Sequence, residues 1–85
     1  MPKLLRKQSV ALRYDDSLSA PLIVAKGSGR VAERIDAVAE ASGVPIVRDE
    51  SLVAGLQPIN VGEFVPPGYW ELVARVLVFI RKVQA

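Results

Sequence analysis

The chain has 85 residues, enough for one domain near the size at which a single core just outweighs chain entropy, and too few for two. Half of it is apolar (51%) and a quarter charged (24%), the mixture of a folded chain rather than a disordered one. The net charge is only +2, and the absence of cysteine and histidine removes disulfides, thiolate metal sites and the usual general base near neutral pH.

Residues 1–8 carry Lys3, Arg6 and Lys7 with no apolar segment behind them, which describes a flexible basic arm rather than a secretory signal. A single domain is expected over residues 9–85. Residues 9–14 mix β-branched, aromatic and aliphatic side chains and run into the turn formers Asp15-Asp16-Ser17, predicting a first strand with Val10, Leu12 and Tyr14 on one face. The short link to Ser19 suits an antiparallel neighbour. That neighbour is the stretch the domain is organised around: Ala20 and Pro21, then Leu22-Ile23-Val24-Ala25 without a polar interruption, then Lys26-Gly27. It predicts a central strand covered on both faces.

A Gly27-Ser28-Gly29 turn leads into a regular helical pattern over residues 30–42, with Val31, Ile35, Val38 and Ala39 on one stripe. Gly43 stands at the stop position and Pro45 blocks continuation. Residues 44–48 predict another short strand, which would complete one βαβ crossover. Asp49 or Ser51 can cap a brief helix over 52–56 that Gln57-Pro58 ends. Phe64 and Val65 are expected to turn inward from the next loop, and Pro67 suits the first turn of a last helix reaching about residue 82. That helix sets Glu71, Arg75, Val78 and Lys82 on one line and Trp70, Val73, Ala74, Leu77 and Ile80 opposite; its apolar arc exceeds what one sheet face requires. The fold class is therefore α/β, a small mixed sheet of three to four strands packed with about three helices. The longest apolar run, residues 72–80, is interrupted by Arg75 and is too short to span a bilayer, so a cytoplasmic protein is expected.

No catalytic constellation stands out, and no metal or cofactor is implied. Ser9, Ser17, Ser19, Ser28, Ser42 and Ser51 have no histidine to activate them. The Gly27-Ser28-Gly29 turn lies where anion-binding loops lie, between strand and helix, but lacks the full GxGxxG pattern and the phosphate-loop lysine. Together with Lys3, Arg6 and Lys7 it keeps one alternative open, a small basic domain that binds RNA or an anionic ligand. The absence of an Arg/Lys-rich helix and of an aromatic stacking set weighs against nucleic acid.

Six blocks in order carry a resemblance: Val10-Ala11-Leu12-Arg13-Tyr14-Asp15; Ser19-Ala20-Pro21 with Ile23-Val24-Ala25-Lys26-Gly27; Gly43-Val44-Pro45-Ile46-Val47; Leu52-Val53-Ala54-Gly55-Leu56; Val61-Gly62; and Val73-Ala74-Arg75-Val76-Leu77. Over residues 9–82 the chain resembles the cytoplasmic C-terminal domain of the FlhB/YscU family, the export-switch proteins of flagellar and type III secretion systems. Members of that family are similar in having a membrane domain ahead of this one and an Asn-Pro-Thr-His loop before the first of these blocks. There the asparagine side chain attacks its own carbonyl and the chain breaks before proline. The corresponding stretch here is Leu4-Leu5-Arg6-Lys7, and Asn-Pro occurs nowhere in the sequence, which excludes that self-cleavage. The chain looks like a free-standing copy of the fragment that cleavage releases.

The resemblance implies a function without catalysis: a protein-interaction module of flagellar or type III export, working in the cytoplasm or at the export apparatus on the inner membrane. It further implies an apolar pocket for a short hydrophobic signal in export substrates, carried onto Ala20, Pro21, Ala74 and Leu77. Export-substrate N-terminal segments, export-gate membrane proteins or a truncated FlhB-like membrane partner are the partners it suggests. Small side chains at Ala20 and Ala74 would leave space beside the backbone, and Pro21 removes a ladder donor at a strand entrance. The same four residues could equally be ordinary core and edge positions.

Overall fold

Two antiparallel strands, β1 (Gln8–Arg13) and β2 (Leu22–Ser28), form the frame of the computed structural model, which describes residues 7–84. The Asp15 turn connects them, with the Leu18 N–H donating to the Asp15 carbonyl at 3.0 Å. The register steps from Ala11 opposite Ala25 to Leu12 opposite Ile23, so Val24 is an extra residue on β2. This bulge keeps Leu12 and Ile23 on the face that Val10 shares, where an unbroken ladder would have turned Ile23 to the other side. Val24 is left 44% exposed, whereas Ile23 is completely buried.

Among the described residues the sheet has two strands, not the three to four expected. Residues 44–48 join no ladder: Pro45 has no N–H to offer, and the backbone bond formed here runs from Val44 to Ala39, closing the preceding helix at 2.8 Å. The expected βαβ crossover is therefore not formed among the described residues. β2 gains a second neighbour only at its entrance, where Leu22 makes a single antiparallel bridge to Phe64. There Ile23 donates to Glu63 (3.0 Å), Gly62 to Ile23 (2.8 Å) and Val65 to Pro21 (2.8 Å), all through backbone groups. Val65 turns inward as expected, 1% exposed, but Phe64 stays outside at 48%.

Helix α1 (Arg30–Ala41) packs on one face of the ribbon and is stopped by Gly43 at φ 72°, a conformation that costs glycine little. Its inward line keeps Ile35 and Ala39 of the expected stripe but not Val31 and Val38. Ala32 is fully buried and Ile35, Asp36 and Ala39 half-buried, while Val31 and Val38 face solvent. The approach is close: a Cβ on Gly27 would lie 2.2 Å from Cγ1 of Val31, so the bare glycine leaves room for the inner edge of Val31 while the rest of that side chain stays in water. Helix α2 (Glu50–Leu56) begins at Asp49, whose carboxylate accepts from the Leu52 N–H at 3.0 Å. A 3-10 turn at Pro67–Tyr69 leads into α3 (Trp70–Gln84). Ile23, Leu52, Leu56, Val65 and Val73 form the core on the other face of the ribbon, with Val10, Leu12, Ile59, Tyr69, Val76 and Leu77 packed around them.

The basic arm expected over residues 1–8 lies, for residues 1–6, outside the described residues. Lys7 and Gln8 already belong to the packed domain. Gln8 opens β1, the Lys7 carbonyl accepts from Gly29, and the Lys7 ammonium is 2.6 Å from Asp36. Among the described residues no helix is long and apolar enough to cross a membrane.

Candidate functional site

The chain leaves β1 at Arg13 and re-enters the sheet at Leu22, and the link between them borders a groove against the first half of α3. Tyr14, Ser19, Ala20 and Pro21 line one side, and Trp70, Ala74 and Leu77 line the other. The cavity measures about 190 Å³ and is mostly apolar. That is smaller than the roughly 300–1,000 Å³ of sites for drug-sized ligands, and it suits one or two apolar side chains.

Each wall is fixed by a local cause. Asp15 accepts hydrogen bonds from the Ser17 hydroxyl and, at 2.9 Å, from the Ser17 N–H, and pairs with Arg13 at 3.0 Å. The Ser17 contacts, with Arg13 behind them, hold the Asp15 carboxyl below its usual range. The turn that carries Tyr14 is thereby closed on itself. Ala20 and Pro21 form a buried floor. The opposite wall hangs from the floor: the Pro21 carbonyl takes the Val65 N–H, and the Val65 carbonyl takes the Trp70 indole N–H at 2.7 Å. The Trp70 ring is therefore positioned relative to Pro21 by two consecutive hydrogen bonds, while remaining 45% exposed.

The four residues that the resemblance singled out, Ala20, Pro21, Ala74 and Leu77, all line this one groove. Tyr14, Ser19 and Trp70 line it too and were not named for it. A signal for Trp70 was present, since residues 70, 74 and 77 follow one helical line. Tyr14 continues the alternation of Val10 and Leu12, one residue beyond the strand.

The anion-binding alternative rests on groups that are partly engaged. The Gly29 N–H donates to Lys7 at 2.7 Å, and the Lys7 ammonium sits on Asp36. Lys3 and Arg6 lie outside the described residues. The Asp36 carboxylate also accepts from the Ser9 hydroxyl at 2.6 Å, and Lys7 first, then Ser9, lower its pKa. Among the described residues no group of three or more carboxylates is placed to hold a metal ion.

Residues 6–80 match the FlhB HrpN YscU SpaS family. The chain belongs to that family. It is 37% identical over 79 residues to YlqH of Bacillus subtilis (strain 168), covering 92% of this chain and 85% of that protein. It is 34% identical over 83 residues to the flagellar biosynthetic protein FlhB of Aquifex aeolicus (strain VF5), covering 91% of this chain but 24% of that one. With the FlhB of Escherichia coli (strain K12) the identity is 38% over 78 residues, covering 89% of this chain and 20% of the relative. The chain thus spans about a quarter or less of the FlhB relatives it matches. Among solved structures, the PscU C-terminal domain superposes with a TM-score of 0.82 at 25% identity, covering 86% of this chain and 95% of that one. The mixed α/β fold described above is the fold of that domain.

Proposed function

We propose that this chain is a non-catalytic docking module of flagellar or type III protein export, working in the cytoplasm at the export apparatus. In this reading the groove between the β2 entrance and α3 receives a short apolar segment from the N-terminal part of an export substrate. The observation that carries the reading is the lining itself. Ala20 and Pro21 give a buried apolar floor, Ala74 leaves room above it, and Tyr14, Trp70 and Leu77 offer apolar walls without a charged group. Such a site binds by burying one or two apolar side chains, at about 1.5–3 kcal/mol each, which suits a transient contact. Family membership supports the export context, and the export gate is the partner on which the module would be held.

The test is titration of the labelled protein with an export-substrate N-terminal peptide, followed through backbone amide shifts. Shifts are expected at residues 20–23 and 74–77, and replacing Ala74 by Gln should abolish them. A folded protein that shows no shifts at saturating peptide would remove substrate docking from the groove and leave the export gate as the partner to test.

A further inference from the structure

The distal half of α3 raises a separate question. Residues 76–80, Val-Leu-Val-Phe-Ile, make this turn of the helix apolar all round, a pattern that ordinarily requires cover on every side. The fold covers Val76, Leu77 and Ile80 only in part, and leaves Val78 53% and Phe79 58% exposed. Phe79 and Ile80 border a second apolar cleft of about 190 Å³ with residues 43–47. This cleft differs from the first in having no buried floor. Val44, Pro45, Ile46 and Phe79 are all exposed, so the side chains project outward around it rather than enclosing a hole. A shape of this kind has little to grip a single side chain with, but its projecting groups can enter a deformable apolar phase.

The charges say which phase. Residues 1–69 hold eight basic and eight acidic side chains, so the chain's net charge of +2 comes from α3, which holds Arg75, Arg81 and Lys82 against Glu71 alone. Arg75 and Glu71 pair with each other at 2.8 Å. Arg81 and Lys82, in the last turn beside Ile80, and Arg48, beside Val47, are exposed and form no ion pair among the described residues, although Arg48 lies near enough to Asp36 to help Lys7 and Ser9 lower its pKa. A charge-balanced body therefore carries a basic, aromatic-bearing helix end. We infer that the face formed by Val44, Ile46 and Phe79, with Arg48 and Lys82 at its border and Arg81 in the same last turn, docks on an anionic lipid surface. The apolar groups enter the headgroup boundary and the three cations meet the lipid charge. This inference does not depend on the substrate groove.

Co-sedimentation of the whole chain with vesicles tests it. Binding is expected to phosphatidylglycerol/phosphatidylethanolamine vesicles and not to phosphatidylcholine alone, and it should fall as salt is raised. Changing both Arg81 and Lys82 to Ser should lower the partition coefficient about 25-fold at low salt, from the usual contribution of each cation. Phe79→Ser should lower it by roughly tenfold or more. These positions are exposed, so circular dichroism should report an unchanged fold. The sequence contains no cysteine, which allows a single label as a second readout. An environment-sensitive dye at Phe79→Cys should shift to the blue on anionic vesicles, while the same dye at Val31→Cys, on α1, should not. Lack of affinity for anionic vesicles, or equal affinity in the Arg81/Lys82 and Phe79 variants, would overturn the inference. So would a Phe79-dependent dimer in sedimentation equilibrium without vesicle affinity, which would assign the face to a second copy.

Discussion

Asp36 shows how much one carboxylate can organise in a small domain. From the middle of α1 it accepts from both Lys7 and Ser9, tying the leading end of β1 to the helix that follows β2. Its carboxyl is held below its ordinary 3.8, with Lys7 the larger cause. A lowered carboxylate contributes stability that is present above the unfolded value and disappears as pH falls through the folded one. Asp36→Asn is therefore expected to cost about 1 kcal/mol at pH 5–7, and the gap from the parent should close below pH 3.8. Urea denaturation across that range measures it. Gly27 is the second residue on which the packing turns. Gly27→Ala would place its Cβ 2.7 Å from Cβ of Val31, an atom fixed to the α1 backbone, so the helix must move. A loss of about 1–3 kcal/mol is expected, and Val31→Ala should restore only part of it, because the Cβ contact remains.

At the scale of elements, what could be read from the sequence divides according to whether its cause is local. The stop of α1 at Gly43 and the Asp49 cap of α2 follow from single residues with one conformational or hydrogen-bonding preference; the stop was legible, and the cap was narrowed to Asp49 or Ser51. The strand expected over residues 44–48 was not a local matter. Val44, Ile46 and Val47 favour extended backbone, but a strand also needs a neighbour with free ladder groups, which no residue in the segment encodes. The rotation of α1 escaped for a related reason. Periodicity marks Val31, Ile35, Val38 and Ala39 as the apolar stripe, yet the helix is turned so that Ala32 is fully buried, Ile35 and Ala39 half-buried, and Val31 and Val38 are mostly in water. The cap gives an element-scale prediction. Asp49→Ala should cost about 1 kcal/mol and raise amide exchange in the first turn of α2 before it affects β1 or β2.

For the whole molecule, the distinction between core and groove is the one that the proposed function depends on, and it was the least legible. Ala20, Pro21, Ala74 and Leu77 could be singled out only through resemblance, because alanine, proline and leucine in isolation describe a core as well as a site. Ala20 and Pro21 are buried and Leu77 packs against the core, whereas Ala74 is exposed. Ile23 is completely buried and Ala74 lies on the exposed rim, though both belong to apolar runs. Ile23→Ala should therefore cost about 2–5 kcal/mol in global stability. Ala74→Gln should stay within about 0.5 kcal/mol of the parent. Thermal unfolding of the two variants side by side checks the contrast, and an Ala74 variant as damaged as the Ile23 one would make the rim part of the core.

Trp70 is the molecule's sole indole, and it stands in the groove wall with its N–H tethered to Val65 and its ring half in water. The protein thus contains its own optical reporter. Anything apolar that enters the groove must displace water from that ring, moving its emission to shorter wavelength. A ligand seated elsewhere leaves the spectrum where it was. Occupancy can then be followed at micromolar concentration in the unmodified protein, with no label to perturb a cavity this small.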